Sequence, residues 1–174
     1  GWEDADDGKF WISFEDFVRN YRTVYVCQMV ANQEHSVQSG SWSKTDNTAG
    51  GFRMQDVPVY NVKCDAACKL TVVLQQAMSK EDYGEMDCGD NEVHIGVQIY
   101  EGKSVRQKGG VRWERYNIID ESSYTKGRTL TETDMKPDNW MRVVCATYEA
   151  GVEANFSVSM FADCEKLTVE RVPN

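Results

Sequence analysis

Carboxylates dominate the residues that could do chemistry, and they gather in two places. The first is DADDGKFWISFEDF, Asp4 to Phe17, where acids precede a run of aromatics. A helix–loop–helix calcium loop needs oxygen ligands at fixed positions, a glycine at the sixth and a bidentate acid at the twelfth. Counted from Asp4, Asp6 and Glu15 fall in place, but Gly8 takes the fifth position and Lys9 the sixth. Counted from Glu3, Gly8 falls correctly and Phe14 lands where the bidentate acid belongs. Neither register closes an oxygen cage. The second place is SKEDYGEMDCGDNE, where Asp82, Glu85, Asp87 and Asp90 stand with Glu81 and Glu92 between two apolar runs. Carboxylates on such a loop chelate calcium when another loop completes the shell. Asp120–Glu121 or Glu149–Glu153 could supply it. No ligand register can be read from the spacing, and the simpler reading is a solvated loop of like charges.

Thiols offer a second chemistry. The cysteines are Cys27, Cys64, Cys68, Cys88, Cys145 and Cys164. An even set permits disulfides. Yet VYVCQMV and RVVCATY place Cys27 and Cys145 in apolar runs, where a free thiol packs as a small hydrophobe. Cys64-x-x-x-Cys68 lacks the second pair that zinc-finger spacing requires. A cysteine nucleophile needs a histidine to draw off its proton. His35 reads as part of a polar loop and His94 as a polar-face strand residue. TAGGFR lacks the lysine and spacing of a phosphate loop, and no G-x-S-x-G elbow occurs. The residues show no self-contained active site.

The elements that must position these residues change character at Tyr21. Before it, Ser13 can cap a helix, and Phe14, Phe17, Val18 and Tyr21 follow at i, i+3, i+4 and i+7. That stripe reads as a packing face. After it the period is two: Val93, Ile95, Val97 and Ile99 alternate with His94, Gly96, Gln98 and Tyr100. Residues 155–160 and 166–170 alternate likewise, and 23–29, 57–63, 69–75, 111–119, 129–133 and 140–148 read as further strands. ANQEHSVQSG and DESSYTKG are read as connections. The expectation is a mainly β chain: an antiparallel β-sandwich of about eight to nine strands with one short N-terminal helix. Clean alternation predicts that each sheet keeps one face on the core and one in water. The tryptophans Trp2, Trp11, Trp42, Trp113 and Trp140 are expected in the core or at domain contacts.

At 174 residues the chain suits one domain, which buries about 70% of its unfolded surface. A net charge of −9 argues against nucleic acid and against an anionic membrane. No apolar run approaches the roughly 20 residues of a membrane span. The chain opens in charged sequence without a leader pattern, as expected of a segment from a longer polypeptide.

Several of these stretches together resemble one family. DDGKFWISFEDFVRNY is similar to the end of the calpain protease core through Asp7, Gly8, Phe10, Trp11, Ser13, Phe14, Asp16 and Phe17. GSWSKTDNTAGGFR resembles the calpain G-x-W…T-A-G-G-x-R segment through Gly40, Trp42, Thr48, Ala49, Gly50, Gly51 and Arg53. VPVYNVK resembles the segment that follows it, and HIGVQIYE matches a later strand at Ile95, Gly96, Tyr100 and Glu101. WMRVVCATYEAG and NFSVSMF resemble the last two segments.

The resemblance implies that residues 1–21 are the end of the protease core and its last helix, and that 22–174 are a domain III β-sandwich. It implies a non-catalytic regulatory module that braces the protease core of the same polypeptide and contacts partners, among them other proteins, in the cytoplasm. The family's catalytic Cys, His and Asn all precede the helix. The parent is then a calpain-like cysteine endopeptidase or an inactive relative. The alternative is a calcium- or phospholipid-binding sandwich acting through the 81–92 loop. The family's core calcium site takes an Asp and an acid two residues later. Asp7 matches the first, but Lys9 stands at the second, where a cation repels the ion. Between VYNVK and KLTVVLQQ only CDAAC remains of a long acidic loop, and acids replace the family's basic segment around Glu81–Glu92. Losing that basic cluster removes the natural anchor for anionic lipid. No cofactor is implied beyond calcium, whose sites are weakened or lost.

Overall fold

The computed structural model of the protein describes residues 11–21, 33–51, 56–77, 93–103 and 118–173. The chain forms two compact units, Gly1–Val30 and Ala31–Asn174. In the first, helix α1 spans Phe14–Asn20. Ser13 caps it as its sequence position predicts: Oγ accepts the Asp16 N–H at 3.1 Å. Glu15 and Asp16 lie in the first turn and Arg19 in the last, so the charges complement the helix dipole.

The second unit holds ten strands among the described residues: β1 Glu34–Trp42, β2 Val59–Cys64, β3 Cys68–Ala77, β4 His94–Glu101, β5 Ile118–Glu121, β6 Thr125–Lys126, β7 Arg128–Met135, β8 Met141–Thr147, β9 Ala154–Ala162 and β10 Leu167–Arg171. They form an antiparallel sandwich. One sheet runs β1-β9-β3-β7 and the other β10-β2-β8-β4-β5, with β6 paired to β4. The inner faces supply one core, in which Leu70, Val72 and Leu74 meet Phe156, Val158 and Met160, with Tyr60, Ile95, Ile99 and Val143 opposite.

Three details depart from the expected pattern. ANQEHSVQSG is not a connection, because residues 34–40 belong to β1, paired with β9 from Glu34↔Ala162 to Trp42↔Ala154. Its inward positions are Ser36, Gln38, Gly40 and Trp42, so the apolar half of the alternation is nearly absent. DESSYTKG likewise carries the end of β5 and all of β6. The six-stranded sheet also has no uniformly wet face. Val57, Val59, Tyr100, Val144, Ala146 and Val172 form a second buried cluster, on the side opposite Tyr60 and Val62, as the period of two requires. Strand β7 inverts the usual sense: Thr129, Thr131 and Thr133 are buried while Leu130 is exposed. Threonine suits that place because its methyl packs like valine and its hydroxyl finds a carbonyl, as Thr129 Oγ1 does on Ser123 at 2.9 Å. The expected strands 23–29 and most of 111–119 lie outside the described residues.

Candidate functional site

The N-terminal unit presents the clearest unsatisfied surface. Trp11 stands just before α1, Phe14 and Val18 share one face of it, and Tyr21 is its C-cap. Their exposures are 92, 76, 60 and 47%. Phe17, half-buried, stacks on Tyr21 with ring centroids 5.0 Å apart. Thus the stripe expected to pack carries no fully buried residue. Large apolar side chains exposed side by side mark a contact surface.

In the sandwich, the segment from Trp42 to Gly51 is a structural clamp. Trp42 is buried and donates its indole N–H to the Cys145 carbonyl across the two sheets at 3.1 Å. Thr48 is buried, accepts the Ser43 N–H at 2.8 Å and donates to the Ser41 carbonyl at 2.9 Å. The Gly151 N–H reaches the Ala49 carbonyl at 2.7 Å, and the Gly50 N–H reaches that of Asp56 at 2.9 Å. Gly51 adopts φ +71°, and a Cβ there would meet the Ala150 nitrogen at 2.5 Å. The segment fastens the end of β1 to the turn between β8 and β9.

The described thiols are packed rather than poised for attack. Cys64, Cys68, Cys145 and Cys164 are free and buried. Burial pushes the Cys145 thiol up, and burial followed by contacts with Cys64 and Cys164 pushes up Cys68. A thiol held protonated is a poor nucleophile. His94 is exposed on β4, and His35, on β1 rather than in a loop, stacks on Phe161 at 6.4 Å.

The family model for the calpain large subunit, domain III, matches residues 38–161. The chain belongs to the calpain domain III family. Calpain-1 catalytic subunit of Gallus gallus is 24% identical over 95% of this chain and 27% of its own length. Calpain-9 of Homo sapiens is 24% identical over 94% and 26%, and Calpain clp-4 of Caenorhabditis elegans 23% over 91% and 28%. The chain therefore spans about a quarter of the length of these relatives.

In this calpain-type chain, the expected metal ligands Asp7, Asp82, Glu85, Asp87 and Asp90 all lie outside the described residues, as does Lys9. The acids suggested as their partners have other roles. Asp120 accepts the Glu121 N–H at 2.8 Å, Glu121 accepts from Gln98 at 3.1 Å, and Glu153 accepts the Lys44 N–H at 3.0 Å. Among the described residues, no group of three or more His, Cys, Asp or Glu side chains has metal-holding geometry. Nothing in the described donor set fits calcium. Of the tryptophans, Trp42 is core, Trp140 is half-buried with the Lys103 ammonium 3.9 Å over its ring, and Trp11 is exposed. Trp2 and Trp113 lie outside the described residues. A convergence that spacing alone did not reveal is that of Cys64, Cys68 and Cys164 at one end of the core.

Proposed function

We propose that this chain joins the last helix of a protease core, α1, to the non-catalytic bracing and regulatory sandwich of a longer calpain-like polypeptide in the cytoplasm, and that α1 packs on the rest of that core. The exposed Trp11–Phe14–Val18–Tyr21 stripe carries the reading. An amphipathic helix of only seven residues draws its stability from the surface it packs on. Membership of the domain III family and the greater length of the relatives support a protease core as that surface. The buried thiols support a structural rather than hydrolytic part for the described residues.

The test pairs this chain with a separately produced calpain protease core truncated before the segment that corresponds to α1. Saturable binding and a raised melting temperature of the core are expected. Phe14→Glu with Val18→Glu should weaken binding by at least tenfold while the sandwich still melts cooperatively. Equal binding by the double variant, or no binding by the parent chain, overturns the reading. Peptide hydrolysis by the chain alone, stopped by a thiol-reactive inhibitor, would overturn its non-catalytic half.

A further inference from the structure

Neighbouring Cys64 and Cys68 and the sequence-distant Cys164 meet where the two sheets join. Cys64 ends β2 of one sheet and Cys68 begins β3 of the other, separated by the turn Asp65-Ala66-Ala67. Leu70 pairs with Ala162, so continuing the antiparallel register two residues outward sets Cys68 opposite Cys164. Leu167 pairs with Cys64, which brings the β9–β10 connection back over the same turn. That connection is fastened on both sides. The Lys69 N–H reaches the Asp163 carboxylate at 2.8 Å, and the Lys166 N–H reaches that of Asp65 at 3.2 Å. All three thiols belong to the same buried core cluster.

The three sulfurs are not equivalent. Cys64 is sealed at 1% exposure, and its S–H donates to the Ala66 carbonyl at 3.0 Å, clasping the turn. Cys68 and Cys164 lie nearer the rim at 9 and 7%. Burial raises the Cys164 thiol, but hydrogen bonds from the Lys166 N–H and from Cys68 oppose that rise. Of the three, Cys68 and Cys164 are therefore the pair that a small oxidant meets first, and the extended register sets them face to face.

We propose that Cys68 and Cys164 form a peroxide-sensitive dithiol that closes into a disulfide between β3 and the β9–β10 connection. The oxidant is hydrogen peroxide. The Cys164 sulfur gives an electron pair to one peroxide oxygen, the O–O bond breaks, and the released hydroxide takes the thiol proton as water. The Cys68 sulfur then attacks the sulfenic sulfur, the S–S bond forms, and the sulfenic oxygen leaves with the Cys68 proton as a second water. Two thiols are oxidised and one peroxide is reduced. The link closes a loop of about a hundred residues, among the more stabilising spans for a disulfide, and pins the corner that joins the two sheets.

The purified chain is treated with graded hydrogen peroxide, alkylated in denaturant, digested and mapped by mass spectrometry, with melting followed in parallel. A Cys68–Cys164 peptide pair is expected, with loss of two titratable thiols and a rise in Tm of roughly 5–10 °C that dithiothreitol reverses. Cys64→Ser should keep the link, whereas Cys68→Ser and Cys164→Ser should abolish both the link and the rise. Mapping on the parent chain stands even if a variant fails to fold. A link through Cys64 or Cys145 instead, over-oxidation of Cys164 without a link, or six thiols left after treatment would overturn the proposal.

Discussion

The indole N–H of Trp42, at the end of β1, bonds the carbonyl of Cys145 in β8, 103 residues away. The same ring packs on Phe156 with centroids 4.5 Å apart. This side chain therefore stitches the edge of the four-stranded sheet to the middle of the six-stranded one. Trp42→Phe keeps most of the apolar contact and removes the hydrogen bond. A loss of about 1–2 kcal/mol is expected, seen as a fall in Tm of roughly 2–8 °C. An unchanged Tm would show that the bond contributes nothing net.

Gly51 and Gly102 separate two costs of adding a methyl group. Both have positive φ, +71° and +85°. At Gly51 a Cβ would strike the backbone of Ala150, whereas at Gly102 it would meet nothing within 4 Å. Gly102→Ala should cost about 1 kcal/mol from backbone strain alone. Gly51→Ala should cost more than twice that, because the clamp on the 149–151 turn must also open. Urea unfolding of the two variants checks this, and equal losses would mean that the turn yields freely.

The contrast between β3 and β1 shows what made the fold legible. In β3, Leu70, Val72 and Leu74 alternate with polar or half-buried neighbours, so both the strand and its inward face follow from the period. In β1, Ser36 and Gln38 face inward at the sandwich edge and Gly40 lies beneath the Phe156 ring. Edge positions need little apolar area, so the same period is present without the residues that reveal it. Thr131 buried beside an exposed Leu130 hides the face of β7 in the same way. The Ser13 cap and α1 are local and were readable. The meeting of Cys64, Cys68 and Cys164 depends on the register of β2, β3 and β9, which no local pattern encodes.

Calcium binding tests the acidic segments directly. Lys9 stands two residues after Asp7, where its charge repels a bound cation. Titration calorimetry of the parent chain is expected to give no heat at millimolar calcium and no shift in Tm. Lys9→Glu should be equally silent, because one added carboxylate does not make a cage. Binding by the parent chain that Asp82→Asn with Asp87→Asn removes would assign calcium to the 81–92 loop. Tight binding by Lys9→Glu alone would make the site local to residues 4–16.

Alkaline pH probes the buried phenols. The Tyr60 and Tyr124 hydroxyls are buried without a hydrogen-bond partner among the described residues. Burial is the main cause that raises each above its ordinary value of 10.0, aided by Cys145 at Tyr60 and by Tyr100 and Glu121 at Tyr124. A group whose folded-state pKa is raised contributes its linked stability in full below the unfolded value. The unfolded phenol then ionises first, so this stability declines as pH climbs above 10. Cys145, raised from 9.0 by burial, begins the decline about one unit lower. Tyr60→Phe should therefore flatten the loss of Tm above pH 10. At neutral pH it should also stabilise the sandwich by about 1 kcal/mol, because a hydroxyl buried without a partner costs its full desolvation. A destabilised Tyr60→Phe at pH 7, with an unchanged alkaline limb, would mean that the hydroxyl is solvated or bonded in solution.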